Sequence, residues 1–411
     1  MAIARFHTSL GWREFSAFLG ALIFSNVPAL SQFQEIFSQK ILNSHKVVLA
    51  PSGRIALYWI IKALGPKPYH EVITQAFNFP AVSAAIRAAG ARVRFVDLAP
   101  GTFEIDPEKL FKAINEKTLA VIVTHLYGNP ADLDAIGKIC KEKNVALIED
   151  CAQAVGATFE GQRVGTFGNS CFYTFGPTKN LSMLSCGAAA TADPILSSRI
   201  EEMADRHRMI NPYKSLSIYL KALGLTTVTS KTLFSLLVFP ILKMLDKKGF
   251  DLVHKIMDEP SEPLVNIESA SLPSPAMAMV GLQQLRRLDK LNQARQKNGW
   301  YLNAMLQDDK GIDLPPFRKG NIFVSFPIFH PNKVQAAIEL RNRGIDTDLG
   351  FMCDCSSLQI FSEFMSDSPH ARRAEKEILH LPVYPSLRQC ELNQIVQGVR
   401  EMEKLRMDIV S

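Results

Sequence analysis

Val145-Ala-Leu-Ile-Glu-Asp150 is a short apolar segment that ends on two acids, and it decides the fold class because similar segments precede it. Stretches with helical periodicity, such as Arg54–Leu64 and Ala81–Ala89, separate these segments. The predicted strands are Val47–Ala50, Glu71–Gln75, Val93–Asp97, Leu119–Thr124 and Val145–Asp150, with further helices near 107–116 and 131–143. This alternation is typical of an α/β fold with a mostly parallel, doubly wound sheet that is covered on both faces.

A second unit is predicted towards the C-terminus. After Pro273, a long amphipathic helix over Ala276–Leu306 leads into a smaller α/β region. That region contains Asn321–Phe326, a helix over Asn332–Arg343, and Glu377–Leu381. We therefore predict a large domain over residues 1–270 and a smaller C-terminal α/β domain over residues 271–411.

The composition excludes several classes of protein. The chain has 411 residues, of which 47% are hydrophobic and 21% charged, so it can fill a core. Its net charge of +6 is mild and its basic residues are scattered, so we predict no nucleic-acid binding. Seven cysteines favour a reducing compartment over a disulfide framework, and Cys353-Asp-Cys355 lacks a second pair at metal-site spacing. We therefore predict no metal site. The N-terminus lacks the pattern of a secretory signal, so we also predict a cytoplasmic protein.

An apolar insertion interrupts the large domain at about residues 206–265. Within it, Leu233–Leu245 is apolar almost all round but too short to span a bilayer alone. Lysines flank or interrupt this stretch: Lys214, Lys221, Lys231, Lys243, Lys247 and Lys248. One interpretation is a helical pair packed on the domain or at a subunit contact. The other is an element over 216–245 that lies in the inner membrane surface, because an apolar body fringed by lysines suits that position.

Candidate chemistry centres on Cys171-Phe-Tyr-Thr-Phe-Gly-Pro-Thr-Lys179-Asn180. A carbonyl cofactor such as pyridoxal phosphate needs an amine that holds it as a Schiff base. It also needs a carboxylate that keeps its pyridine nitrogen protonated. Lys179 and Asp150 are candidates for these two roles, although Lys179 in isolation reads equally as a surface lysine and Asp150 as a helix cap.

Other candidates fall at the ends of predicted strands, where ligands bind in such sheets. Ser52 and Gly53 stand where a helix begins, and Arg54 and the Thr174 hydroxyl could also contact a phosphate. Phe79 could stack on a cofactor ring, and Gln153 could reach its phenolic oxygen. The alternatives are a simple helix cap for Ser52 and Gly53, core packing for Phe79, and a capped turn for Gln153.

Taken together, these motifs resemble the DegT–StrS family of pyridoxal-phosphate-dependent sugar aminotransferases, which have the aspartate-aminotransferase superfold (fold type I). The motifs are Phe175-Gly-Pro-Thr-Lys179-Asn180, Ile148-Glu-Asp150-Cys-Ala-Gln153-Ala-Val-Gly156, Thr124-His125-Leu-Tyr-Gly128-Asn-Pro-Ala-Asp132 and Leu379-His-Leu-Pro-Val-Tyr-Pro385. The resemblance implies that Lys179 holds pyridoxal phosphate and that Asp150 is the partner of its pyridine nitrogen. It implies ring contacts from Phe79 and Gln153 and a phosphate cradle of Gly53, Arg54 and Thr174, with Ser52 at the same helix start.

By resemblance, the protein is a homodimeric aminotransferase that moves an amino group, from glutamate, to the keto group of a nucleotide-linked or lipid-linked sugar or a related acceptor. The alternatives are a dehydratase or lyase of the same fold, and a non-catalytic membrane-surface or regulatory protein. The chain departs from the family at four places. Arg54 stands where the family has Thr, and Gly350–Cys355 does not match the family's histidine-bearing substrate loop. Ser185-Cys186-Gly187 stands where an acid and two glycines are usual, and Ala270-Ser271-Leu272 where the family has Asn-Tyr-Arg.

Overall fold

The computed structural model describes residues 1–23, 28–246, 267, 269–309, 311–364 and 366–410. Lys247, Lys248 and the remainder of the predicted insertion to residue 265 lie outside the described residues. The helices are α1 (Trp12–Ile23), α2 (Ala29–Ile41), α3 (Gly53–Ala63), α4 (Pro80–Ala88), α5 (Pro107–Ala113), α6 (Leu133–Glu142), α7 (Pro194–Ala204), α8 (Pro212–Val228), α9 (Lys231–Leu233), α10 (Phe239–Asp246), α11 (Pro275–Leu306), α12 (Lys333–Asn342), α13 (Pro369–Glu377) and α14 (Gln389–Val410). The strands are β1 (Lys46–Ala50), β2 (Glu71–Gln75), β3 (Phe77–Asn78), β4 (Arg92–Val96), β5 (Thr118–Thr124), β6 (Ala146–Asp150), β7 (Thr158–Phe159), β8 (Gln162–Arg163), β9 (Ser170–Thr174), β10 (Gly187–Thr191), β11 (Phe326–Phe329), β12 (Cys353–Asp354) and β13 (Ile378–Leu381).

Seven of the strands form a central sheet in the order β1-β10-β9-β6-β5-β2-β4. The pairs from β9 to β4 are parallel, and β10 runs antiparallel to both of its neighbours. The predicted mostly parallel α/β fold is thus confirmed. Because β10 is reversed, it begins at the edge where β1, β6 and β9 end, and this edge gathers the candidate site residues.

Helices cover both faces of this sheet. One apolar core packs α3, α4 and α7 against one face, and includes the fully buried Trp59. A second core packs α2 and α6 against the other face, where Phe33, Phe37 and Tyr173 form an aromatic cluster. Strands buried on both faces need apolar residues at successive positions, which is why they read as continuous Val/Ile-rich runs in the sequence.

A third core lies at the C-terminal end of the chain. It includes residues of α12, α14, the small β11–β13 sheet and the C-terminal half of α11. Ile3 joins this core and pairs in parallel with Ile345, so the first residues of the chain pack on the smaller region. The division at residue 270 stands as our proposal, with α11 running from one region into the other.

The described part of the apolar insertion, to residue 246, contains two helical pieces. α8 buries Ser215, Tyr219 and Ala222 at helical spacing, and Tyr219 stacks on Phe18 of α1 at 4.3 Å. Between α9 and α10, Phe234–Val238 forms a π-helical turn just before Pro240, which lacks an N–H for the ordinary helical bond. No single helix in the described part of the chain is long and apolar enough to span a membrane. Pro212–Val228 and Lys231–Met244 reach that length and composition only together, with a bend of 61°.

Candidate active site

The carboxyl edge of the sheet carries a tightly packed backbone pocket. Ser52 caps α3 by accepting a hydrogen bond from Ile55 N–H at 3.3 Å, and Gly53 opens the helix. A Cβ on Gly53 would lie 2.0 Å from Thr174 Oγ1, and a Cβ on Gly187 would lie 2.5 Å from Gly53 N. Gly187 therefore requires glycine, because the close atoms are backbone, whereas a side chain at position 53 would displace the Thr174 hydroxyl. A helix start with an adjacent hydroxyl and no side chain in the way is suited to binding a phosphate. Arg54 follows in the first turn of α3 and is half-buried.

The turn before Gly187 shows why the family usually has glycine there. Cys186 has φ +85° and Leu184 has φ +69°, in the left-handed region that non-glycine residues rarely adopt. The Cys186 side chain is buried, with Sγ 3.8 Å from Met183 Sδ. The departure from the glycine pattern thus retains the backbone conformation that glycine favours, at a cost of order 1–3 kcal/mol.

Asp150 ends β6 and is almost fully buried. Its Oδ1 accepts a hydrogen bond from Ala152 N–H at 3.0 Å. Burial raises the pKa of Asp150 to about 6, although the Ala152 N–H and the positive charge of Lys179 oppose that rise. Lys179 is therefore close enough to influence Asp150 electrostatically. A buried carboxylate that lacks full compensation is suited to pairing with a cationic ring nitrogen.

Lys179 lies on a loop that is held from several sides. Its N–H donates to Gly176 O at 3.1 Å, and the Lys179 side chain lines a cleft. The next residue, Asn180, is buried and donates from Nδ2 to Val155 O at 2.7 Å and to Asn292 Oδ1 at 3.2 Å. These contacts fix the backbone from which the lysine amine extends.

The two predicted ring contacts flank this edge. Phe79 follows β3 and lies edge-on to Phe351, with ring centroids 6.4 Å apart. Gln153 Oε1 accepts a hydrogen bond from Tyr127 N–H at 2.9 Å. Gln153 lines the cleft, and its Nε2 makes no hydrogen bond to another described residue.

The cleft lies between the sheet edge, the smaller region and the N-terminal residues, and holds ≈ 840 Å³ of empty space including its open mouth. Several lining residues were not predicted as site residues: Arg5, Tyr127, Arg295, Asp348 and His380. Tyr127 and His380 fall within the motifs quoted above, which was the available signal. Burial lowers the pKa of His380 to about 4, so its imidazole is neutral at pH 7, and its Nδ1 lies 2.7 Å from Ser325 Oγ.

Three buried side chains are close enough together to bind a metal ion, but their ligand atoms are used in hydrogen bonds that stabilise the fold. Ligand atoms of His125, Glu149 and Cys151 lie within 4.8 Å of one another, all buried. However, Glu149 accepts hydrogen bonds from the N–H groups of Gly165, Phe167 and Gly168 at 2.7–2.8 Å, and His125 Nε2 lies 3.1 Å from it. His125 Nδ1 accepts from Ala131 N–H at 3.1 Å. These bonds already use the lone pairs that a metal would need.

A lysine beside a buried carboxylate, with a phosphate-binding helix start at the same edge of a mostly parallel sheet, defines the class of pyridoxal-phosphate enzymes of fold type I. Sequence comparison places the chain within that class. It belongs to the DegT/DnrJ/EryC1/StrS aminotransferase family, whose profile matches residues 13–217 and 274–400. The profile thus leaves out most of the apolar insertion. The chain is an aminotransferase, and pyridoxal phosphate is its cofactor.

Relatives span nearly the whole chain. The pleiotropic regulatory protein of Geobacillus stearothermophilus is 28% identical over 85% of this chain and 83% of its own length. The 3-oxo-glucose-6-phosphate:glutamate aminotransferase of Bacillus subtilis is 25% identical over 94% of this chain and 78% of its own length. Among solved structures, NtdA of Bacillus subtilis with bound cofactor PMP superposes with a TM-score of 0.74 at 23% identity, over 96% of this chain and 83% of that one. This last likeness supports the fold.

Proposed function

We propose that the protein transfers an amino group from glutamate to the keto group of a nucleotide-linked or lipid-linked sugar or a related acceptor. The observation that carries this proposal is the placement of Lys179 within electrostatic reach of the buried Asp150, at one edge of the sheet. The Bacillus subtilis relative is named as an aminotransferase of glutamate and 3-oxo-glucose-6-phosphate. This name supports glutamate as the donor and a keto sugar as the acceptor.

In this proposal, the residues at the sheet edge divide the work of holding the cofactor. The α3 start with Ser52 and Gly53 binds the phosphate, together with Arg54 and the Thr174 hydroxyl. Asp150 would be the partner of the ring nitrogen. Phe79 and Gln153 would hold the ring and its phenolic oxygen. Held by these residues, the cofactor would supply a carrier for the amino group and an electron sink for the reacting carbon.

Lys179 then moves the proton. Its Nζ takes the proton from the amino-bearing carbon of the donor, and in the second half of the cycle it returns a proton to the former keto carbon of the acceptor. The hydrogen-bonded Asn180 keeps the loop in place during both transfers.

The donor half of the reaction tests this function without knowledge of the acceptor. We expect L-glutamate, mixed with the enzyme in the absence of acceptor, to change the absorption spectrum from that of the pyridoxal form to that of the pyridoxamine form. One equivalent of 2-oxoglutarate should be released per site. D-glutamate is the matched control, because the same groups with the opposite hand cannot present their proton to Lys179. Absence of 2-oxoglutarate with L-glutamate would overturn the proposed donor.

We further propose that the enzyme is a homodimer, as the family resemblance implies. In the family, an asparagine of one subunit reaches the phosphate in the partner's site. The segment Ala270–Leu272 of this chain has no comparable side chain, so the cradle described above would hold the phosphate without it. In this chain that segment pairs with Met209 instead, through a parallel bridge to Leu272. Light scattering on the purified protein measures the state, and a stable active monomer would contradict the proposal.

The apolar insertion supports a cytoplasmic enzyme that binds peripherally to the inner face of the membrane. One side of α8 packs on α1, whereas Leu220 and Leu223 on it are exposed. Leu236, Leu237, Ile241 and Met244 are also exposed, and the exposed Lys214 and Lys221 lie on α8. We name the exposed residues Leu220, Leu223, Leu236, Leu237, Ile241 and Met244 the apolar face. An apolar face beside lysines suits an anionic lipid surface.

This apolar face belongs to an element that adjoins the cleft. Phe234, Phe239 and Leu242 pack around Ala4, and Thr229 Oγ1 lies 3.2 Å from His7 Nδ1. His7 and Arg5 line the cleft, so the insertion packs directly on one of its walls. An enzyme lying on the membrane through this element would have its cleft near the surface. This arrangement favours a lipid-linked acceptor over a free one.

Replacement of Leu236 and Leu237 by Glu should weaken membrane binding. We expect the wild-type enzyme to float with vesicles of anionic phospholipid, and the double variant to bind at least roughly tenfold more weakly, because two exposed leucines that would insert into the lipid are lost. Ile195→Glu on α7 is the matched control, since Ile195 is 66% exposed and Leu236 69%. Equal flotation of the three proteins would remove the membrane proposal.

A further inference from the structure

Two thiols lie side by side at the end of the loop that lines one wall of the cleft. Gly350, Phe351 and Met352 line the cleft, and Cys353 follows them directly in β12. Cys353 Sγ lies 3.9 Å from Cys355 Sγ, so the two sulfur atoms are in van der Waals contact. Cys355 is fully buried, whereas Cys353 is half-buried. Of this pair, Cys353 is therefore the thiol that a small molecule in solution can reach.

The backbone between the two thiols is bent in a way that favours a bond between them. Asp354 has φ −70° and ψ 87°, close to an inverse γ-turn, which brings its two neighbours nearer to each other than a flat strand does. Asp354 is also held in place, since its N–H donates to Glu375 Oε2 at 3.2 Å and its Oδ1 accepts from Ser356 N–H at 3.1 Å. A disulfide needs the sulfur atoms to approach to about 2.05 Å, so each of them moves by roughly 1 Å. The pair thus starts close to bonding distance.

Cys355 connects the thiol pair to residues that are proposed to hold the cofactor. Its Sγ–H donates to Asn78 O at 3.3 Å, and the N–H of the next residue, Phe79, donates to Asn78 Oδ1 at 2.7 Å. Asn78 Nδ2 donates in turn to Thr124 Oγ1 at 3.1 Å, and the Thr124 hydroxyl donates to Asp150. A change at the thiols therefore reaches two of the proposed cofactor contacts, Phe79 and Asp150.

We propose that Cys353 and Cys355 form a reversible disulfide that slows the enzyme under oxidising conditions, with glutathione disulfide or a similar small disulfide as the oxidant. The Cys353 thiolate attacks one sulfur of glutathione disulfide and expels a glutathione thiolate, which leaves a mixed disulfide on Cys353. Cys355 then loses its proton, its sulfur attacks the Cys353 sulfur, and the second glutathione thiolate leaves. The two thiol protons end on the two released thiolates. The protein pair thus loses two electrons, and glutathione disulfide gains them.

The disulfide changes the site in two ways. The Cys355 sulfur no longer has a proton, so its hydrogen bond to Asn78 O is lost. The approach of the sulfur atoms also displaces Cys353 and with it the preceding cleft residues, of which Phe351 lies edge-on to Phe79. A disulfide that encloses a single residue is strained and easily reduced, which makes the modification reversible. Its formation requires only the thiol pair, whereas its effect on the rate rests on the proposed function.

The test treats the cofactor-loaded enzyme with glutathione disulfide or with dithiothreitol. The readouts are the mass of the peptide that contains both thiols, the cofactor absorbance and the rate of the L-glutamate half-reaction. We expect the oxidised wild type to have a peptide lighter by two hydrogen atoms and a shifted cofactor band. Its half-reaction should be slower by roughly three- to tenfold, because a hydrogen bond next to the site is lost. Dithiothreitol should reverse each change.

Single replacements separate the two steps. Cys353→Ser should keep its rate in glutathione disulfide, because the remaining thiol of the pair is buried. Cys355→Ser should stop at the mixed disulfide on Cys353, because the second attacking sulfur is missing. Cys390→Ser is the matched control and should respond as wild type does, since Cys390 is an exposed cysteine on α14 outside the pair. Thermal unfolding establishes that each variant is folded.

Two results would overturn the inference. The first is a wild-type peptide that keeps both thiols or stops at the mixed disulfide. The second is a complete disulfide with cofactor absorbance and donor rate equal to those of the reduced enzyme. Peptide mass and cofactor absorbance are measured without substrate, so they decide the inference even if glutamate is not the donor.

Discussion

A Lys179→Ala enzyme is expected to lose transamination by roughly 10⁴-fold, because the same side chain attaches the cofactor and moves the proton. The loss should have two measurable parts. Borohydride treatment of wild type should leave the cofactor on the peptide that contains Lys179, and the variant should retain no such label. Donor turnover in the variant should recover in part with added methylamine, which replaces the missing amine as a base.

Lys112→Ala provides the control for this experiment, because Lys112 is an exposed lysine on α5, away from the cleft. It should keep wild-type activity and labelling. An unaltered absorption band in Lys179→Ala, or label on another lysine, would show that the cofactor is attached elsewhere. Thermal unfolding distinguishes a folded, inactive variant from a misfolded one.

Asp150→Asn is expected to separate activity from stability. In the cofactor-free protein, burial holds the pKa of Asp150 at about 6, above its ordinary value of 3.8. The carboxylate therefore destabilises the fold increasingly as pH rises from about 4 to 6, and fully above 6. At pH 7 this amounts to roughly 3 kcal/mol. The amide oxygen of the substituted side chain can still accept the hydrogen bond from Ala152 N–H without carrying a charge.

The cofactor-free Asp150→Asn protein should thus be more stable than wild type at pH 7 by up to about 3 kcal/mol, and equal to it near pH 4. Its activity should fall roughly 10³-fold, because the ring nitrogen loses its anionic partner. Urea unfolding at the two pH values measures the first effect and donor turnover the second. A variant that is less stable at pH 7, or that keeps its activity, would contradict the assigned role of Asp150.

The sequence predicted the parallel half of the sheet closely, because each of those strands is a buried apolar run between amphipathic helices. Glu71–Gln75 was predicted with the observed bounds, and Val145–Asp150 extends β6 by one residue. The reversed strand β10 was not predicted, since Gly187-Ala-Ala-Ala-Thr191 has little β-propensity. Its small residues are explained by packing, with Gly187 against the backbone of Gly53.

The predicted site residues lie at one edge because strand ends are recognisable in sequence. Arg295 could not be found in the same way. It lies within an amphipathic helix among other polar residues, and only the folded cleft shows that its buried donors lack a partner among the described residues. Likewise, nothing in the sequence near Ile3 indicates that it pairs with Ile345, which is far away along the chain. Contacts of this kind arise from tertiary packing.

The long helix α11 contacts the large domain, the lysine loop and the smaller region along its length. At its N-terminal end Gly281 packs closely on Met183 and Phe33, in its middle Asn292 holds Asn180, and further on Asn298 holds Tyr384. Because one helix makes all three contacts, any displacement of the smaller region relative to the sheet would also displace the loop that carries Lys179.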